Sequence, residues 1–277
     1  DEAFVSIQAD LFTEFQAILG RQYGAANPLI FNNDRTSLQG VVLSKSLGIA
    51  QVSAAALGLS GDGMGIVCVQ GVKLGPVTLG ADYLATGVGQ KEAWGVNLKG
   101  KLIVPLWAYY GQVMKTQANI DPPSDQDQAW IAGADILSGD TFKLAVSYGE
   151  AEPNYYEATA GGDLNLFNPY TITYNAVDWE RVLDDPAHGK ALMLFPDSKV
   201  LAVDATVKLG SLPIAIRYID QKPKTSGADN LPWVLGVSVP FSLAEGVTAK
   251  ITYGVSEDLP PASPQAQLVR VATCVEF

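Results

Sequence analysis

The residue types that carry covalent and redox chemistry are scarce in this chain of 277 residues, which holds one histidine, two cysteines and three methionines. A Ser-His-Asp arrangement needs its histidine held in a structured site. His188 instead lies in DDPAHGK, beside Asp184 and Asp185 in a long polar connection, and its bland reading is a solvated loop residue. Cys68 and Cys274 have neither metal nor redox spacing, so one disulfide and two isolated packing residues are both compatible with the sequence. LSGDGMGIV has the glycines of a phosphate loop without the helix that would follow it. No enzyme and no cofactor are expected. Long apolar runs are also missing, since the longest, LIVPLWAYY near 102–110, is far short of the roughly 20 residues of a membrane helix. Basic residues are few, 18 against 29 acidic for a net charge of -11. Without a basic stripe to displace counterions from phosphates, no nucleic-acid partner is expected. No basic-plus-apolar signal peptide opens the chain, and Asp1 is expected to be a mature N-terminus or a cut in a longer chain.

Glycine (27) and tyrosine (11) are plentiful, hydrophobic residues make up 48% and charged ones only 17%, a mixture that suits strands and turns. Alternation with period two recurs along most of the chain, as in FKLAVSY, VLAVDATVK, WVLGVSV and VTAKITY, and is the strand signal. Tight turns at SKSLG, LGP, KGK, SGD, LGS and FSLAEG join these runs at hairpin length. They alternate with longer polar or proline-bearing connections near 23–36, 116–127, 221–230 and 256–265. This rhythm predicts one domain over 1–277, an up-and-down antiparallel meander of about fourteen strands, an even number within the range of closed membrane barrels. The first is placed near 5–22. The stretch 151–198 is too long for a simple connection; a strand pair within it, around LFNPYTITY and ALMLF, would raise the count to about sixteen.

Alternation alone does not say whether the meander faces water or lipid, but the aromatics do. Strands running from a tight turn toward a long connection end in tyrosine, at Tyr23, Tyr83, Tyr109 with Tyr110, Tyr148, Tyr218 and Tyr253. Strands running the other way often begin with tryptophan, at Trp94, Trp130 and Trp233. Amphipathic rings at one level are what a lipid-water boundary favours. Lysines sort to the opposite end: Lys45, Lys73, Lys99, Lys101, Lys143 and Lys208 lie close to tight turns, where long stems snorkel to water. More than half of the 29 acidic residues fall in the long connections.

The chain ends QLVRVATCVEF, in mid-strand and on an aromatic, with Val269, Val271, Thr273, Val275 and Phe277 on one face. Together with the asymmetry of turns and connections and the aromatic level, this resembles the bacterial outer-membrane β-barrels, porins in particular, over essentially the whole chain. The resemblance implies a closed transmembrane barrel, outer-membrane lipid as its solvent, Phe277 as the signal read by the barrel-assembly machinery, tight turns toward the periplasm and a homotrimer. EFQAILGRQYG (14–24) is similar to the first barrel strand of porins that carry an N-terminal S-layer-homology domain. The resemblance then implies that this domain would precede Asp1, although the chain is short for that group.

If the apolar face meets lipid, the other face supplies Glu14, Gln16, Gln51, Asp82, Asn97, Asp135, Lys143, Asp204, Lys208, Arg217, Lys250 and Arg270 as candidate pore lining. For any one of them, a place in a salt-bridge lattice is an equal alternative. The connection 151–198 is the candidate for a segment folded into the lumen, with an external cap as the alternative. The carboxylates of DPPSDQD (121–127) suit a hard cation such as calcium but lack the spacing of a dedicated calcium loop; a solvated face is the other reading, and no resident metal is expected. The function expected is passive diffusion of small hydrophilic solutes and ions, with a mild cation preference from the acidic connections. Two alternatives are a plugged structural barrel that anchors or packs a surface layer, and a soluble all-β binding protein.

Overall fold

A computed structural model describes residues 3–9, 15–25, 27, 29–30, 32–58, 63–86, 91–115, 128–153, 155, 197–225, 233–244, 247–256 and 266–275. Among these residues there are fifteen strands: β1 (Ala3–Ala9), β2 (Phe15–Ala25), β3 (Asn32–Ser46), β4 (Gln51–Leu57), β5 (Met64–Leu74), β6 (Val77–Thr86), β7 (Lys91–Lys101) and β8 (Pro105–Lys115), then β9 (Gln128–Ser138), β10 (Phe142–Ala151), β11 (Ser198–Leu209), β12 (Leu212–Pro223), β13 (Val234–Ala244), β14 (Val247–Ser256) and β15 (Ala266–Val275). They form an antiparallel up-and-down sheet in which spatial order follows sequence order from β1 to β15. Among the described residues no helix is long and apolar enough to cross a membrane, which says nothing about strands.

The turn chemistry read from the sequence is realised locally. Gly75 and Gly210 have φ of 61° and 64° in two-residue links that leave Leu74 opposite Val77 and Leu209 opposite Leu212. Nothing crowds a Cβ at either position. The left-handed backbone, strained for any side-chain-bearing residue, is what calls for glycine there.

The single strand expected near 5–22 is instead the hairpin β1–β2, with Ala3 opposite Arg21 and Ala9 opposite Phe15. An 18-residue extended run would be roughly 60 Å long, about twice the thickness of a bilayer core; folded as a hairpin it gives strands of 7 and 11 residues, within the range of the others. The strand pair expected within 151–198 and the acidic run 121–127 lie outside the described residues, as do Glu14, His188 and Phe277.

Contacts divide the chain into two compact units. One comprises Asp1–Ile103, Trp107–Trp130 and Ala151–Thr171; the other comprises Val104–Leu106, Ile131–Glu150 and Ile172–Phe277.

Candidate functional site

In the first unit, one rung across the ladder reads Gln8, Gln16, Ser44, Ser53, Cys68, Asp82 and Gly95, each residue opposite the next. The rung one residue away reads Ile7, Ala17, Leu43, Ala54, Val67, Tyr83 and Trp94. Successive side chains point to opposite faces, so one face of the sheet is polar along this rung and the other apolar. The apolar face is the open one: Val67 is 47% exposed and Tyr83 41%, whereas Asp82 is 3% exposed.

The second unit repeats the pattern. Ala205, Ile216, Val237, Tyr253 and Val269 face each other across β11 to β15, and the adjacent rung is Thr206, Ala215, Ser238, Thr252 and Arg270. Ile216, Tyr253 and Val269 are exposed, while Thr252 and the neighbouring Arg217 are buried. The sidedness of a water-soluble sheet is inverted in both units.

Two groups of polar side chains on the buried face are tied together. Gln70 Nε2 donates to Asp82 Oδ1 at 2.7 Å, and Asn97 Nδ2 donates to Gln70 Oε1 at 3.2 Å, so three strands share one amide-carboxylate chain. Arg217, opposite Asp204 in the register, donates from Nε to its Oδ1 and pairs with it electrostatically. Buried charges persist only when paired in this way. Cys68 is a free thiol, so the optional bridge to Cys274 is not formed.

The polar face is graded along the strands. At the long-connection end it is apolar and fully covered, by Leu57, Met64, Leu84 and Ala93 in one unit and Val200, Ala202 and Ile219 in the other. Toward the tight turns it is half-open and basic. Lys73 and Lys99 flank Thr78 on one rung, and Lys143 and Lys208 are exposed at the turn ends of β10 and β11. Lys73 shares this face because the register shifts between Val69 and Val72, where Gly71 adopts φ 79°. One extra residue reverses the alternation, which plain period-two counting from Cys68 misses.

Of the candidate pore-lining residues, Gln16, Gln51, Asp82 and Asn97 lie on the polar face of the first unit. Asp135, Lys143, Asp204, Lys208, Arg217 and Lys250 lie on that of the second by alternation with Ile131, Ser147 and Thr252, and the register sets Arg270 opposite Thr252. Among the candidate belt residues, Tyr83, Trp130, Tyr148, Tyr218 and Tyr253 are exposed on the apolar face. Trp94 is there beside Tyr83 in the register, Trp233 lies 6.5 Å from the Tyr218 ring, and the side chain of Tyr23 is not among those described. Tyr109 is a correction: it is only 7% exposed, on the same face as buried Gly111, and its neighbour Tyr110 takes the outer place with its ring 5.2 Å from Trp94. In a Tyr-Tyr pair alternation puts one ring on each face, and only the burial phase of the strand tells which.

Chains of solved structure share this architecture. OccK5 (OpdH) of Pseudomonas aeruginosa aligns over 100% of this chain and 81% of its own at 10% identity, with a TM-score of 0.64. OccK10 (OpdN) of the same organism aligns over 96% and 81% at 13% identity with a TM-score of 0.64, and OccAB2 of Acinetobacter baumannii over 94% and 73% at 13% identity with a TM-score of 0.63. These are Occ/OprD-family outer-membrane porins. The chain has the porin fold. No family model and no curated protein matches the sequence, and at this level of identity the likeness is one of fold.

Within this porin fold, a connection that the sequence marks only as long and polar folds back on the polar face. Past a register shift between Gln22 and Gly24, the β2–β3 hairpin carries Asn27, Leu29 and Ile30, which are 1%, 2% and 1% exposed. Asn27 Nδ2 donates to Val96 O at 3.0 Å and Tyr110 O at 2.7 Å, while its Oδ1 accepts from Leu29 N at 3.0 Å. Tyr155 is buried in the same place; its burial, and secondarily Tyr110, push its phenol pKa up. The only local sign of this contact is an apolar Leu-Ile pair directly after Asn-Pro in an otherwise polar stretch.

Proposed function

We propose that the chain is a non-enzymatic outer-membrane porin that lets small hydrophilic solutes and ions diffuse along its polar face, with lipid against its apolar face. The observation that carries this reading is the pair of adjacent rungs, Gln16-Ser44-Ser53-Cys68-Asp82 and Ala17-Leu43-Ala54-Val67-Tyr83. An exposed apolar face continuous over many strands is rare on a soluble monomer, and a buried face of paired amides, carboxylates and bases is what a water-filled barrel interior carries. Closure of the strand series into a ring belongs to this proposal, since it would remove both sheet edges. Recognition of Phe277 by the barrel-assembly machinery and assembly as a homotrimer are further parts of it, supported by the sequence resemblance.

The mild cation preference is proposed to come from the acidic long connections. The turn-end lysines oppose it. Strands of ten to twelve residues separate the two ends by about 35 Å, several Debye lengths at physiological salt, so each end acts on the ions next to it. The preference should then appear at low salt, fade as salt rises, and come with asymmetric currents. Replacing Lys73 and Lys99 by glutamate should raise the cation-to-anion permeability ratio roughly two- to threefold at low salt, read from reversal potentials. An unchanged ratio would remove the lysines from the account.

Planar-bilayer recording of the purified protein tests the function itself: stepwise conductance is expected. Its absence in folded, inserted protein would favour the plugged structural barrel, to which the complete burial of Leu84, Ala93 and Val200 already lends some weight. Extraction from membranes without detergent would defeat the lipid-facing assignment.

A further inference from the structure

We propose that the tip of the β2–β3 hairpin is the constriction element of the first unit, and that Asn27 is the positioning residue that holds it in the solute path. The inference rests on the channel reading above and extends it. The polar rung Gln16-Ser44-Ser53-Cys68-Asp82 leads to Gly95, the register partner of Asp82, and Asn27 stands on Gly95. A Cβ there would lie 2.5 Å from Asn27 Nδ2 and 2.8 Å from Tyr110 O. The tip therefore occupies the space that the polar rung faces.

Three features make the docking a built one. Asn27 bonds through one amide nitrogen to carbonyls of two strands, β7 and β8, that are 69 and 83 residues away. Its own backbone carbonyl accepts from Ile30 N at 2.9 Å and its Oδ1 from Leu29 N, so one residue both closes the turn and fastens it. On β8, Gly111 leaves the matching notch: a Cβ would come within 2.9 Å of both Ile30 Cγ2 and Leu29 Cβ and 3.2 Å of Tyr155 Oη. The apolar pair fills that notch and is removed from water, which supplies the adhesion, while the amide supplies the orientation.

Only an amide does both jobs. A carboxylate at position 27 would keep the bond from Leu29 N yet face two carbonyl oxygens without a donor. Asn27→Asp is thus a release variant of nearly unchanged volume, and Asn27→Ala is its neutral counterpart. Gly111→Ala unseats the tip from the strand side without touching Asn27.

The test compares single-channel conductance and the size cut-off for sugars in liposome swelling across wild type, the two Asn27 variants and Gly111→Ala, with folding checked by the gel mobility of unheated protein. Folded Asn27→Asp and Gly111→Ala should both raise conductance roughly twofold, because ion flow follows the open cross-section, and should admit larger sugars. Increased open-channel noise at unchanged mean conductance would also support release of a tethered tip. Folded variants with wild-type conductance, noise and cut-off would overturn the proposal while leaving the porin reading intact. A wild-type protein that does not conduct would overturn both. If Gly111→Ala fails to fold, the two Asn27 variants decide alone.

Discussion

Ile251→Lys is expected to destabilise the protein in lipid by about 2–4 kcal/mol, the cost of a lysine on the lipid side of a barrel near mid-depth. Ile251 is 41% exposed and sits mid-strand between Val239 and Val271 in the register. The residue before it, Lys250, already carries the same charge on the opposite face, two residues from buried Thr252 on that face. Lys250→Ile should therefore cost less than about 1 kcal/mol, chiefly through whatever polar contact it gives up. The exchange variant Lys250→Ile/Ile251→Lys keeps the composition of the strand and alters only the faces. On a water-facing sheet the same Ile251→Lys change would be neutral or would improve solubility, so the sign of the effect separates the two solvents. Urea titration in lipid vesicles followed by tryptophan fluorescence gives the free energies. A cost for Ile251→Lys below about 0.5 kcal/mol would mean that the apolar face does not meet lipid.

That the two faces can be assigned at all follows from a short-range rule, and this is the part of the molecule legible in the sequence. Alternation in VTAKITY puts Ile251 and Tyr253 on one side, and exposure confirms the side. Glycine in LGP and LGS marks the links at Gly75 and Gly210 because a positive φ is a local demand. Where local rules compete, the reading fails. Residues 5–22 alternate over much of their length, and the alternation by itself does not say that the run is folded between Ala9 and Phe15; the length limit of a membrane strand does. The bulge at Gly71 turns Lys73 onto the polar face, and the pair Tyr109-Tyr110 hides which ring is buried. The Asn27 clasp was not legible, since its partners are strands five and six places along the ladder and no pattern of spacing joins a side-chain amide to the carbonyls of Val96 and Tyr110.

Asp204→Ala is expected to cost about 2–3 kcal/mol, the second largest single effect, and the reason is the charge it leaves behind. The Arg217 side chain is only 8% exposed and that of Asp204 19%, and the two are directly opposed in the longest uninterrupted register of the second unit, from Ser198–Pro223 to Leu209–Leu212. Removing the carboxylate takes the opposed charge away from a guanidinium that cannot shed its proton on a largely buried face. The partial exposure of Asp204 lets some water in, which is why the expected cost lies below the 3–5 kcal/mol of a fully buried pair. Arg217→Leu in the Asp204→Ala background should recover most of the loss, because an apolar pair of similar volume has no charge to desolvate. A double-mutant cycle in lipid then yields a coupling energy above about 1 kcal/mol. If Asp204→Ala alone costs less than about 0.5 kcal/mol, Arg217 is hydrated in the folded protein, and the ion pair is one of many exchangeable contacts on a wet wall. The alternative of a stiffening lattice and the alternative of a solute-facing charge thus separate at this pair: a large coupling energy assigns Asp204 and Arg217 to the wall, and a small one favours charges that face the solute.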